Sequence, residues 1–221
     1  SACAEVVGLL SRMNSSPEVF QTVVSAKRSE AARTAVLPAY GKDVSCRFYD
    51  SMMSMLMALN AGEIDSMSLP DCVAEYVLRM NQQTEARGFI LGNSWMNLVM
   101  GLKEGNEALR DKISTAISEM IKDGTLTLLV RQYIQGPEAK DAKPAPFDEF
   151  EGAETLTVAV TGDFPPIDYV DAGGVAAGYN SAMLAELGRR LQMNIKLIYM
   201  NDLNPLRTEN SESFYLTRYR L

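Results

Sequence analysis

Residues 155–200 read TLTVAVTGDFPPIDYVDAGGVAAGYNSAMLAELGRRLQMNIKLIYM. Leu156 to Val160 alternates as a strand does. Gly162 to Tyr179 is a Gly/Pro-rich turn region, and Asn180 stands where it can cap the helix SAMLAELGRRL. Ile195 to Tyr199 reads as a second strand, which makes a β-loop-α-β unit. Pro165 and Pro166 fix φ and stiffen the loop after the first strand. Loops at the carboxyl ends of parallel strands are where α/β folds bind ligands. A stiff loop presents Phe164 or Tyr169 to a flat or apolar part of a ligand with little loss of entropy. The other reading of Tyr169, a ring that only packs the turn, stays open.

Upstream, the first 33 residues read as helical, with Ser16-Pro17-Glu18 as a helix start. Thr34 to Leu37 is a short apolar run, and Val44 to Tyr49 reads as a strand. Asp50 is placed to cap a helix that stops at Gly62. Met52, Met55, Leu56 and Leu59 share one face of it, the pattern of core packing rather than of a cofactor box. Ile64 to Leu69 reads as a strand, and Pro70-Asp71 opens the helix CVAEYVLRMN. Phe89 to Leu102 reads as a strand with an irregular approach. Asn106 is placed to cap a helix whose stripe is Leu109, Ile113, Ala116, Ile117 and Met120, ended by Asp123-Gly124. Leu126 to Ile134 is a further helix, and after Asn201 no period is visible. Strands alternating with helices imply an α/β fold with a parallel or mixed sheet.

Residues 135–154 differ in character. They hold Pro137, Pro144 and Pro146 among eight charged residues, with Phe147 and Phe150 the only large apolar ones. This composition reads as a linker.

Composition narrows the function. The 221 residues are 47% hydrophobic and carry a net charge of −7 from 28 acidic and 21 basic residues. An acidic chain without a Lys/Arg cluster is a poor partner for nucleic acid. There is no histidine, which excludes Ser–His–Asp and Cys–His catalysis and every His-ligated metal site. Cys3, Cys46 and Cys72 contain no CxxC pair, so a zinc ribbon or thioredoxin site is excluded. Buried thiols are the default reading, and a Cys46–Cys72 disulfide is the alternative for an exported chain. No apolar run reaches the roughly 18 residues of a membrane span. Ser1-Ala2-Cys3 has the form of the end of a lipoprotein signal.

The 155–200 stretch resembles the opening of bacterial extracellular solute-binding proteins of family 3, which have the type 2 periplasmic-binding fold. The parts that match, in order, are Phe164-Pro165-Pro166-Ile167-Asp168-Tyr169, then the acidic and Gly-rich hairpin from Asp171 to Gly174, then Gly178-Tyr179-Asn180, an amphipathic helix and a second strand. Residues 50–134 resemble the closing part of the same family. Gly62, Asp65, Leu109, Asp123, Gly124, Thr125, Leu126 and Tyr133 fall on its pattern. The resemblance implies type 2 periplasmic-binding-like lobes, incomplete or in a permuted or tandem order. Residues 1–134 correspond to the closing part of one module, 135–154 to the linker and 155–221 to an opening part.

A whole member runs from lobe one to lobe two and back, whereas here the closing half comes first. Two arrangements fit. The chain is a piece of a tandem protein, or residues 155–203 pack beside residues 97–134 in a permuted lobe. The second predicts one sheet joining the Leu156–Val160 strand to the Asn97–Leu102 strand, from this chain or from another copy in a segment-swapped homo-oligomer.

The implied function is binding of a small polar solute of the amino-acid class between two lobes, outside the cell or in the periplasm, with lipid anchoring at the envelope. The implied partners are that small-molecule ligand and a membrane permease of a transport system or, alternatively, a membrane signalling receptor. A degenerate interaction domain that binds no solute is the third reading. No enzyme activity, cofactor, metal or nucleic acid is expected. The candidate contacts are Asp163, Phe164 and Tyr169 from the opening part and Asp71 from the closing part. The rings would stack on the solute, and the acids would take a cation or a hydroxyl. In amino-acid-binding members an Asp after the closing-part strand holds the ligand's ammonium group. The equivalent position here is Pro70, so Asp71 either substitutes for that Asp or only caps its helix. Asp163, Asp168 and Asp171 could offer paired carboxylates for acid/base work, but they read better as acidic turn residues of a solvated hairpin.

Overall fold

The computed structural model describes residues 5–12, 23–27, 45–49, 51–80, 86–94, 98–103, 105–136, 139, 141–199 and 214–219, and for several strands the backbone alone. The chain is α/β and divides into two compact units, residues 3–96 and residues 97–221.

The first unit is built on a five-stranded mixed sheet. Its strands are β1 (Glu5–Arg12), β2 (Val23–Lys27), β3 (Ser45–Tyr49), β4 (Ser66–Pro70) and β5 (Ala86–Ser94), in the order β3-β2-β4-β1-β5. β2 runs parallel to β3 and β4, whereas β1 lies antiparallel between β4 and β5. The helical reading of the first 33 residues is therefore overturned for β1 and β2. EVVGLLSR is a central strand paired on both edges, and such a strand needs no apolar–polar alternation to betray it. The helix start at Ser16 and the run from Thr34 to Leu37 lie outside the described residues.

Helix α1 (Met52–Ala61) joins β3 to β4, and α2 (Asp71–Met80) follows β4. Met52, Met55, Leu56 and Leu59 are all buried, as their spacing requires. Ser51, not Asp50, caps α1: its hydroxyl accepts from Ser54 N–H at 3.1 Å. Gly62 stops the helix in the left-handed region at φ 77°, where a side chain would be strained. Cys72 is a buried thiol in the first turn of α2, so the Cys46–Cys72 disulfide does not form.

The second unit contains β6 (Leu98–Lys103), α3 (Glu107–Lys122), α4 (Thr125–Val130), a π-helical turn at Arg131–Gln135, β7 (Thr155–Val160), α5 (Tyr179–Leu191), β11 (Asn194–Tyr199) and β12 (Phe214–Tyr219). Between β7 and α5 lie three short strands, β8 (Asp163–Phe164), β9 (Asp168–Val170) and β10 (Ala176–Ala177). The single irregular strand read over Phe89 to Leu102 is thus two strands, β5 and β6, in different units. Asn106 occupies the cap position of α3, but its side chain makes no capping bond. Ile113, Ala116, Ile117 and Met120 form the buried stripe of α3, with Leu109 at its half-exposed end.

β7 and β11 pair in parallel, Thr155 opposite Asn194 through Val160 opposite Tyr199. β6 pairs antiparallel with β12, from Leu98–Tyr219 to Lys103–Phe214, in a separate sheet. The joint sheet of β7 with β6 expected of a permuted lobe is therefore overturned within this chain: each strand's register is with another partner. The two segments meet instead through helices, since α5 packs against α3 and α4. Residues 142–150 form no regular element, as their composition suggests, but they are fastened. Asn194 Nδ2 donates to Phe150 O at 3.0 Å, its Oδ1 accepts from Phe150 N–H at 2.8 Å, and Tyr133 donates its hydroxyl proton to Lys143 O at 3.2 Å.

Burial grades the cost of truncation. Ile113 has no exposed surface, whereas Ile121 on the same helix is half exposed. Ile113→Ala should destabilise the chain by about 2–5 kcal/mol, and Ile121→Ala by less than about 1 kcal/mol. Urea unfolding followed by circular dichroism measures both.

Candidate functional site

The loop that leaves the carboxyl end of β7 is held at every turn by backbone hydrogen bonds. Ile167 N–H donates to Phe164 O at 3.0 Å, and Val170 N–H to Gly162 O at 3.1 Å. β8 and β9 pair with Asp163 opposite Tyr169 and Phe164 opposite Asp168. Asp171 closes the hairpin that follows: its carboxylate accepts from Gly173 N–H at 2.9 Å and Val175 N–H at 2.8 Å. The loop is then tied to α5, because Tyr179 N–H donates to Pro166 O at 3.0 Å and Asn180 N–H to Ile167 O at 2.8 Å. Gly178 permits this approach. A Cβ there would lie 2.5 Å from Pro166 O, and its φ of 96° is left-handed. Gly178, not Asn180, therefore occupies the cap position of α5, and Asn180 lies within the first turn.

Asp168 is the buried carboxylate of the loop, 5% exposed. Its Oδ2 accepts from Thr161 N–H at 2.9 Å and from the Thr161 hydroxyl at 3.2 Å, which fastens β9 to the end of β7. The solvated-hairpin reading holds for Asp171 and is overturned for Asp168, which is an internal fastener. Both carboxylates are engaged with backbone amides.

The structure brings together three of the four sequence-marked contacts. Asp163 and Tyr169, directly opposite each other across β8 and β9, share one face of this small sheet. Phe164 pairs with Asp168 on the other face. All three are half-buried. Asp71 is the first residue of α2 and belongs to the other compact unit; the described side chains do not include it.

One residue of the loop's surroundings escapes sequence reasoning. Tyr199, the last residue of β11, lies against Gly162: a Cβ added at Gly162 would come within 2.7 Å of Tyr199 Cδ1 and 3.5 Å of Val170 Cγ2. The only signal was an aromatic at a strand end and a glycine just past the other strand. Burial, and then the negative charge of Asp168, push the Tyr199 phenol above its ordinary pKa of 10.0.

Two open clefts of the same unit lie at the opposite end of the β7–β11 pair. One of about 500 Å³ is lined by Phe147, Phe150 and Asn194, and one of about 570 Å³ by Leu109, Lys112, Thr155 and Met193. Neither includes Asp163, Phe164, Tyr169 or Asp71. Among the described residues no group of three or more Cys, Asp or Glu side chains could hold a metal ion. Among them, too, no helix is long and apolar enough to cross a membrane.

No protein-family profile matches the chain, and no curated protein matches it. Among solved structures it is similar to an ancestral arginine-binding protein bound to arginine, at 20% identity and a TM-score of 0.46 over 59% of each chain. It is also similar to the periplasmic domain of BvgS from B. pertussis, at 13% identity and a TM-score of 0.41, over 91% of this chain and 41% of that one. The chain thus spans less than two thirds of the length of either.

The phenol gives a pH test of the loop. Raising a tyrosine pKa in the folded state means that the fold prefers the neutral phenol. The associated stability is present below pH 10 and is lost as pH rises through the elevated value. Asp168→Asn should move the Tyr199 midpoint back toward 10. The measurement is alkaline titration of phenolate absorbance, with the Tyr199→Phe variant subtracted.

Proposed function

We propose that the chain is part of a solute-binding module of the periplasmic-binding type, outside the cell or in the periplasm, serving a transport system. Its solute is small and polar, of the amino-acid class. The observation that carries this reading is the convergence of Asp163 and Tyr169 on one face of a fastened loop at the carboxyl end of β7, where an α/β sheet binds ligands. No Lys or Arg occurs from residue 155 to residue 188, while Asp163 is present. This supports a cation or hydroxyl, not a carboxylate, as the group received here. Tyr169 supplies a flat surface for stacking, and Phe164 the same from the other face. Asp71 is proposed as the contact that the closing part supplies to its own module, at the start of α2.

In the same reading residues 1–134 are the closing part of one module, 135–154 a connector and 155–221 the opening part of the next. The separate sheets of β6 and β7 support successive modules over a permuted lobe, while the packing of α5 on α3 and α4 suits either order. Successive modules also suit a second reading, the ligand-sensing part of a membrane signalling receptor. A membrane permease or such a receptor is the proposed protein partner.

The test is a thermal-shift screen of the full chain against amino acids, polyamines and small peptides. A true solute at about 100 times its Kd should stabilise the fold by about 2.7 kcal/mol. Tyr169→Ala should weaken binding roughly tenfold or more, shrinking that shift, while Phe147→Ala at the opposite end should not. A shift unchanged in Tyr169→Ala removes this ring from the site. No shift with any compound, in an intact fold, favours an interaction domain that binds no solute.

A further inference from the structure

The last turn of α5 carries two arginines that reach away from the ligand loop. Arg190 Nε donates to Glu186 Oε1 at 2.8 Å on its own helix, and Nη2 donates to Asp123 Oδ2 at 2.6 Å and Thr125 Oγ1 at 3.0 Å. Asp123 and Thr125 form the junction of α3 and α4. They are already locked together, since Asp123 Oδ1 accepts from Thr125 N–H at 3.0 Å and from its hydroxyl at 2.6 Å. Arg189 Nε donates to Asp148 Oδ2 at 2.9 Å in the connecting segment, and the same side chain also pairs with Glu186. Three stretches of chain, at 123–125, 148 and 186–190, thus meet on two adjacent side chains.

An isolated exposed ion pair holds little, but this is not one. The Arg190 side chain is only 20% exposed, its planar fork serves three acceptors from two elements, and α5 packs on α3 and α4 beneath it. The Asp123 carboxyl is held down to about 2, first by the Thr125 hydroxyl and amide and then by Arg190. The pair therefore stays charged throughout the neutral range.

We propose that the α3–α4 junction is a docking surface whose occupant is the opening helix, α5, of the following module, with Arg190 as the positioning residue. This rests on the reading of residues 97–134 as a closing part and 155–203 as an opening part. Successive modules are then joined here as one body through a built interface, rather than hung on a loose tether. The connector's charge-rich sequence serves the same end, because Asp148 is gripped by Arg189.

Hydrogen exchange of the full chain at neutral pH, without ligand, tests the proposal. In Arg190→Met, exchange should quicken about tenfold in α4 and in the last turn of α5 alike, while α1 and α2 of the other unit stay as they were. If only the last turn of α5 quickens, Arg190 is a helix-end group and the docking surface falls. Should Arg190→Met loosen the whole of residues 97–221, Arg190→Lys decides. It keeps the charge but loses the fork, so α4 should still quicken, and wild-type protection of α4 would overturn the proposal. No solute enters the measurement, so its failure leaves the solute-binding reading standing, and a failed solute screen leaves the joint standing.

Discussion

Two backbone amides at the start of α5, those of Tyr179 and Asn180, donate to the carbonyls of Pro166 and Ile167. The first amides of any helix have no partner inside the helix. Here the turn that carries Pro165 and Pro166 supplies it. The bond is reciprocal in effect: the helix gains its capping acceptors, and the turn gains a rigid support. Everything else in the loop follows from that attachment. Because Pro166 and Ile167 are pinned to α5, β8 and β9 start from a fixed corner, and Asp163 and Tyr169 are set opposite each other on one face. Gly178 is the condition for it, since a Cβ would strike the Pro166 carbonyl.

The charges of the second unit divide by location. Carboxylates near the carboxyl end of β7 have no basic side chain within their own stretch of sequence, and Asp168 accepts hydrogen bonds from the amide and the hydroxyl of Thr161. The carboxylates at the far end of α5, Glu186, Asp123 and Asp148, are each met by a guanidinium. The carboxylates of the loop are thus held by amides and a hydroxyl at Asp168 and Asp171, and those at the far end of α5 by arginines.

Much of this was legible in the sequence where local rules decide. Gly62 as a stop, the Met52–Leu59 stripe of α1, Ile113–Met120 of α3 and the strand–helix–strand order of 155–199 all follow from spacing and turn chemistry. What was not legible depends on distant pairing. β1 is a strand because β4 and β5, some 60 to 80 residues away in sequence, close both its edges. Its apolar run alone is as good a helix. Ser51 displaced Asp50 as the cap by a single position, within the ordinary uncertainty of a helix end. For the candidate site, Asp163, Phe164 and Tyr169 could be singled out from the Pro-Pro loop. The split of faces between them needed the β8–β9 register. Tyr199 needed the parallel register of β11 on β7, which no local pattern encodes.

That register has a geometric origin. Helix α5 has 13 residues, a length of about 20 Å, and β7 has six, also about 20 Å. The helix is therefore a ruler that returns the chain to the level where β7 began, with only Gln192 and Met193 to turn the corner. One residue added or removed at that corner would slide β11 by one place and bring Ile198 or Met200 opposite Val160, turned to the opposite face. The hairpin at Asp171–Val175, closed by its own carboxylate, carries no such constraint. Changes of length over the history of such a chain should thus collect at the hairpin and be purged at the corner, so that the aromatic beside Gly162 is preserved by arithmetic as much as by chemistry.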